Sequence, residues 1–244
     1  MALPEQLALP FEPPDIKDIF LRVFTRLGIE RPVVNVAARF YPFTGLRSTV
    51  VVRQGAVTAR VSDLLAGAPR LVLEALAEIL LARVFRRRPS PEARACYLAY
   101  THRPAVRARI DAARRKRSSK RLLPPIGRCH NLEEIFDGLN QRFFSGKIPA
   151  VALGWSHGNA RRTLGHYDSA HAALVVSRRL DSSSVPRCVV EYVVYHEMLH
   201  IRFPLSLDGH RRVVHSREFR REERKFPQYE LACRHIRLMA GSLR

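Results

Sequence analysis

Residues 187–203 read RCVVEYVVYHEMLHIRF, a nearly continuous apolar segment into which His196-Glu197-Met198-Leu199-His200 is set. Valine, leucine and tyrosine recur on every side of the segment, so its spacing predicts a long helix buried around most of its circumference. Four residues is about one helical turn, which places the two imidazoles on one face, one above the other. A pair so placed can hold one metal ion, and Glu197, the next residue, can lean over the metal's open position. Zinc acidifies a water bound there to a pKa of about 7, and a neighbouring carboxylate can take the water's proton as it attacks a carbonyl. Two histidines and a glutamate would be costly to bury on such a helix without a partner, and a metal is the natural one.

A catalytic zinc takes three protein ligands, so one more must come from elsewhere. His215 follows His200 by a stretch long enough to fold back, at the start of a further helical segment, Val213 to Phe219. His210, in the Asp208-Gly209 turn, and the carboxylates Glu218, Glu222 and Glu223 are the other candidates. The remaining histidines have no ligand spacing and read as surface or hydrogen-bonded residues.

Upstream of this helix, Leu132 to Phe144 has amphipathic helical spacing. Pro149 to Trp155 reads as a strand, and Thr163 to Tyr167 with Ala172 to Val176 as a strand pair. The same order occurs earlier in the chain. Asp15 to Leu27 is an amphipathic helix, Thr49 to Val52 and Val57 to Val61 form a hairpin, and Arg70 to Phe85 is a buried helix ending in a basic stop. Letters recur as well. Asp18-Ile19-Phe20 matches Glu134-Ile135-Phe136, Val61-Ser62 with Leu65 matches Val176-Ser177 with Leu180, and the run Pro69 to Glu74 matches Pro186 to Glu191. The offset stays at about 117 residues with small insertions, and such self-similarity is the mark of duplication. The expectation is an α+β chain made of two units, 1–127 and 128–244, with a basic linker over 103–127 and an N-terminal arm through Pro14.

Charge points to a partner. The 244 residues carry 42 Lys plus Arg against 22 Asp plus Glu, a net charge of +20, and neither half is neutral, with 23 basic against 10 acidic residues up to Gly127 and 19 against 12 after it. All but five of the basic residues are arginine, whose planar fork suits phosphate. The densest runs are Arg86-Arg87-Arg88 and Arg114-Arg115-Lys116-Arg117 with Lys120 and Arg121, which are expected to attract DNA or another nucleic acid through counterion release. Tyr97, Tyr100, Phe219 and Phe226 lie near basic runs and can serve either as base-stacking rings or as core. No segment reaches the roughly 18 uninterrupted apolar residues of a membrane span, and the N-terminus does not have the pattern of a signal peptide. Four dispersed cysteines form no C-x-x-C pair, which excludes a zinc ribbon and fits a reducing cytoplasm. The sequence does not specify the oligomeric state.

Several residues together resemble a known family. Phe136-Asp137, Leu139-Asn140, Phe143 to Ile148, Trp155-Ser156, Leu164 to Tyr167, Val176-Ser177 with Leu180, His196 to His200, and His215-Ser216-Arg217-Glu218-Phe219 look like the SprT-like, or Spartan, metallopeptidase domain over about residues 131–219. The resemblance implies a zincin fold, Zn2+ held by His196, His200 and His215, and Glu197 as general base. For Spartan relatives it also implies proteolysis of proteins bound or crosslinked to DNA. With no cysteine pair for a zinc ribbon, recruitment to DNA is expected to fall to the basic surface and the N-terminal half. By the repeat, Ala77-Glu78-Ile79-Leu80-Leu81 falls opposite His196 to His200, so the first unit is expected to be a degenerate, metal-free copy. The competing expectations are a basic nucleic-acid-binding protein with a structural zinc, and a zinc hydrolase of small peptides.

Overall fold

A computed structural model describes residues 15–29, 35–158, 163–208 and 211–241. The N-terminal arm through Pro14 and the candidate ligand His210 lie outside these residues. The chain divides into two compact units between Arg117 and Ser118 rather than at 127, and the mixed α+β class expected from the sequence is what the elements show.

The first unit opens with α1 (Ile16–Arg26), whose first turn is capped by the Asp15 carboxylate accepting from the Lys17 N–H at 2.9 Å. Three strands follow: β1 (Asn35–Tyr41), β2 (Thr49–Arg53) and β3 (Ala56–Ser62). β3 is central, parallel to β1 and antiparallel to β2. A 3-10 turn, Asp63–Leu65, leads to α2 (Arg70–Val84), which is followed by α3 (Pro91–Thr101) and α4 (Pro104–Arg117). Val36 on β1, Val57, Ala59 and Val61 on β3, Ile19 and Phe20 on α1, and Leu73, Leu76 and Leu81 on α2 form the core. The basic stretch read as a linker is therefore largely α4. Only Val106 is buried on it, with Ile110 one turn on packing against the core, so its apolar stripe is too narrow to stand out from the arginines.

The second unit repeats this order. α5 (Leu132–Phe144) begins at Asn131, whose side chain accepts from the Glu133 N–H at 3.0 Å. Strands β4 (Ala152–Trp155), β5 (Gly165–Asp168) and β6 (Ala173–Val176) form a sheet with β6 central, parallel to β4 and antiparallel to β5. A 3-10 turn, Arg178–Leu180, leads to α6 (Arg187–Arg202). The short hairpin β7 (Ser206–Asp208) and β8 (Arg211–Val213) and the helices α7 (Arg217–Glu223) and α8 (Tyr229–Gly241) complete it. Each unit thus has the order helix, parallel strand, hairpin, 3-10 turn, helix, and Pro69 and Pro186 occupy the same capping position before α2 and α6. Ile79, Leu80 and Arg83 lie at the same separations from Pro69 as His196, Glu197 and His200 do from Pro186, whereas the expected match onto Ala77 to Leu81 requires an insertion.

The motif residues outside the metal helix hold the frame. Asn140 is buried, and its side chain donates to the Ile148 carbonyl and accepts from the Ile148 N–H, both at 3.0 Å, clamping the turn from α5 into the sheet. The buried Trp155 ring donates from Nε1 to the Pro125 carbonyl at 3.1 Å. Asn140→Ala leaves a buried N–H and a buried C=O without partners. It is expected to lower the stability of the protein by about 2–4 kcal/mol, read from urea denaturation, and an unchanged midpoint would contradict this role.

Candidate metal centre

The histidine-bearing face of α6 exists because the rest of the helix is committed to the core. Val189, Val190, Val194, Met198 and Leu199 are buried, which turns His196 and His200 toward the same side. The chain then leaves α6 at Phe203, turns through β7 and β8, and returns to place His215 just before α7. Ser216 caps α7, accepting from the Phe219 N–H at 3.1 Å. The three imidazoles stand in a triangle with ring centroids 5.0 Å apart on every side. One nitrogen from each lies within 4.8 Å of the other two, and Nε2 of His200 and Nε2 of His215 are 3.3 Å apart. Phe219, fully buried, packs against all three rings at 4.6–5.2 Å between centroids and fixes their tilt.

Electrostatics suit this triangle to a cation. Burial first, and then the neighbouring His196 and His215, push His200 down to about 4, and burial chiefly lowers His215 as well. Neutral imidazoles with inward-facing lone pairs are what a metal requires. His196 is oriented from behind. Its Nδ1–H donates to Oε1 of Glu223 at 2.7 Å, which leaves Nε2 free, and the Tyr192 hydroxyl donates to the same oxygen at 2.9 Å. Burial opposes ionisation of Glu223, but these hydrogen bonds outweigh it and hold the carboxyl below its ordinary value.

Glu197 is almost completely buried, and that burial raises its carboxyl above the ordinary value against the opposing effects of His196 and of the Tyr167 backbone N–H, which donates to it. β5 approaches it very closely. A Cβ at Gly165 would lie 2.7 Å from Val193 Cγ1 and 3.1 Å from both Cγ and Oε1 of Glu197, so only glycine lets the strand lie this near α6.

Residues 132–235 match the model of the SprT-like family. This segment is a SprT-like domain. Comparison of the chain with curated proteins and with solved structures finds no match. The SprT-like match is consistent with a domain of metallopeptidase type, and its histidine triad is one that could hold a metal.

The structure brings His196, His200 and His215 together. Among the carboxylate alternatives, Glu223 contacts His196 through the nitrogen facing away from the other ligands, and Glu222 bonds Lys225 at 2.8 Å. Tyr195 is buried, and its hydroxyl donates to the Glu222 carbonyl at 2.8 Å. Glu223 is the site residue that sequence reading missed in its actual role, because its proximity to His196 depends on α7 folding back along α6. Glu223→Gln removes the charge behind the ligand and is expected to weaken zinc binding about 10- to 100-fold, measured by competition with a chromophoric chelator. Affinity equal to wild type would remove Glu223 from the site.

The nine basic positions read as nucleic-acid contacts fall into different settings. Arg87 donates to the backbone carbonyls of Leu27 and Gly28. Arg117 pairs with both Asp63 oxygens at 2.6–2.7 Å and donates to the Phe43 carbonyl, while Lys120 pairs with the buried Asp168 at 3.0 Å and contacts His166. These three side chains serve the fold. Arg86, Arg88, Arg115, Lys116 and Arg121 are exposed, and Arg114 is half-buried. Of the four rings near basic runs, Tyr100, Phe219 and Phe226 are buried and Tyr97 packs on the core of the first unit, so none of them is a free stacking surface.

Proposed function

We propose that the protein is a zinc-dependent endopeptidase with a zincin-like catalytic unit, acting on proteins bound or crosslinked to DNA. The observation that carries the hydrolase reading is the buried Glu197 carboxyl beside three imidazoles that meet at one point. A closed structural zinc site uses four ligands and has no need of a base, whereas three ligands and an adjacent carboxyl are the parts of a hydrolytic one. When bound, the zinc supplies Lewis acidity and an acidified water at neutral pH.

The chain's own residues do the rest. Glu197, raised by burial, accepts a proton at its carboxylate and returns it to the leaving nitrogen of the scissile amide. The Tyr167 N–H and the close approach of Gly165 hold that carboxylate in one orientation. Glu223 fixes His196 as the Nδ1–H tautomer, and the packed Phe219 keeps the three rings in register.

Two features support the rest of the proposal. A net charge of +20 favours a polyanion as the recruiting surface. The first unit reads as a metal-free copy of the peptidase unit, supported by the shared strand order and pairing sense, the paired capping prolines, and Ile79, Leu80 and Arg83 in place of the ligands and base. Its use would then be binding rather than chemistry. The test is to offer the zinc-loaded protein a DNA-bound protein substrate with and without the DNA. Cleavage should be accelerated by DNA; cleavage indifferent to DNA would leave a general zinc peptidase, and no cleavage of any protein substrate would overturn the peptidase reading.

A further inference from the structure

The sheet of the first unit has one face against α1 and α2 and the other open. Val36, Ala38 and Phe40 of β1, Val50 and Val52 of β2, and Val57, Ala59 and Val61 of β3 belong to the core side. By strand alternation the opposite face exposes Arg39 and Tyr41, Val51 and Arg53, and Thr58 and Arg60, while at its end Ser62 is buried and bonded to Gly45 and Ser48. In register, Arg39 lies directly across from Arg60. Like charges at facing positions disfavour a sheet, and here no carboxylate relieves them: the stretch Asn35 to Ser62 contains four arginines and no acidic residue. Among the described residues none of Arg39, Arg47, Arg53 and Arg60 is ion-paired.

Aromatic rings accompany these charges. The Arg60 guanidinium sits over the Tyr41 ring at 5.4 Å, Tyr41 packs against Phe43 with centroids 4.7 Å apart, and Arg47 lies over Phe43 at 5.9 Å. The result is a row of alternating guanidinium planes and rings, exposed at Tyr41, Arg47 and Arg60 and half-buried at Phe43. Such a row offers flat π-surfaces to unstacked bases and positive charge to the phosphates between them. A duplex conceals its base faces and gains only from the charges.

We infer that this open sheet face is a binding platform for single-stranded nucleic acid, with Tyr41, Phe43 and the guanidinium of Arg60 stacking on bases and Arg39 and Arg53 contacting phosphate. It extends the DNA part of the reading above, on which it rests, and is independent of the peptidase part, because binding is measured with no protein substrate present. The facing arginine pair, a cost to the isolated sheet, is offset when a polyanion lies across it.

The full-length protein is titrated with labelled single-stranded oligo(dT) and with a duplex of equal length, following fluorescence anisotropy over a range of salt. Tyr41→Leu keeps apolar bulk but removes the ring, and should weaken single-strand binding about 5- to 100-fold with little change on the duplex. Arg60→Gln, at an outward position that does not enter the core, should weaken single-strand binding in the same direction and decides the matter if Tyr41→Leu unfolds. The Arg39→Ala, Arg53→Ala double variant should make the salt dependence shallower by about 1.4 in the slope of log K against log salt. Four results overturn the platform: wild-type single-strand binding by these variants with loss only on Arg115→Ala, Lys116→Ala, which moves DNA recruitment to α4; equal losses on single strand and duplex with Tyr41→Leu; tighter binding to phosphatidylserine vesicles than to oligonucleotide; or no binding to either oligonucleotide. Only the last also removes the DNA part of the proposed function.

Discussion

Glu197→Gln is expected to lower the rate of peptide hydrolysis by about 10²- to 10⁴-fold while leaving zinc content at one per chain. The amide matches the carboxyl in size, so the close contact with Gly165 and the contact with the Tyr167 N–H survive, and the change removes only the capacity to take up a proton. It also replaces a buried group that resists ionisation with a neutral one, so the thermal midpoint should stay level or rise. This combination separates catalysis from structure. Undiminished hydrolysis in a metal-loaded variant would transfer the proton acceptor to another group, and a variant that loses both metal and stability would make Glu197 part of the frame.

His200→Ala has the other large effect, on metal itself. Burial and the neighbouring imidazoles push His200 down to about 4, so its lone pair is available to an ion in the neutral range. Without it two ligands remain, too few to retain zinc through purification. Wild-type protein at a 100-fold excess of zinc over its Kd gains about 2.7 kcal/mol, or a rise in thermal midpoint of about 5–10 °C. The variant should show no such rise, no bound zinc by metal analysis and hydrolysis at background. A full equivalent of tightly held zinc in His200→Ala would place the ion elsewhere.

The parts of this protein that could be read from the sequence are those in which one residue pattern has one physical cause. α6 announces itself because its apolar periodicity runs uninterrupted, and the turn-spaced histidines need nothing beyond helix geometry to be brought together. α5 and the two hairpins likewise follow from amphipathic spacing and turn residues. β1 was not visible, since Ala37 and Ala38 blur the alternation that Val36 and Phe40 set up, and its partner β3 is the far strand of the hairpin that follows. α4 was hidden by its arginines, and α8 and the β7–β8 hairpin by weak or very short patterns. Glu223 belongs to a different class. Its place behind His196 is a product of tertiary folding, and no local pattern distinguishes it from Glu218 or Glu222 in the same short helix.

The three ligands come from two separate pieces of chain, two from α6 and one from the segment entering α7, with the β7–β8 hairpin between them. An ion bound there is a staple as well as a reagent. It closes a loop between positions 200 and 215, and pinning a loop of that size removes about 3 kcal/mol of freedom from the unfolded chain by analogy with a covalent crosslink. The Glu223 brace travels with α7, so releasing the staple would slacken the ligand that remains on α6 along with the one that leaves. Under the proposed function, metal availability would then govern cohesion and turnover together: a zinc-starved molecule would be looser at the place where it would otherwise cut.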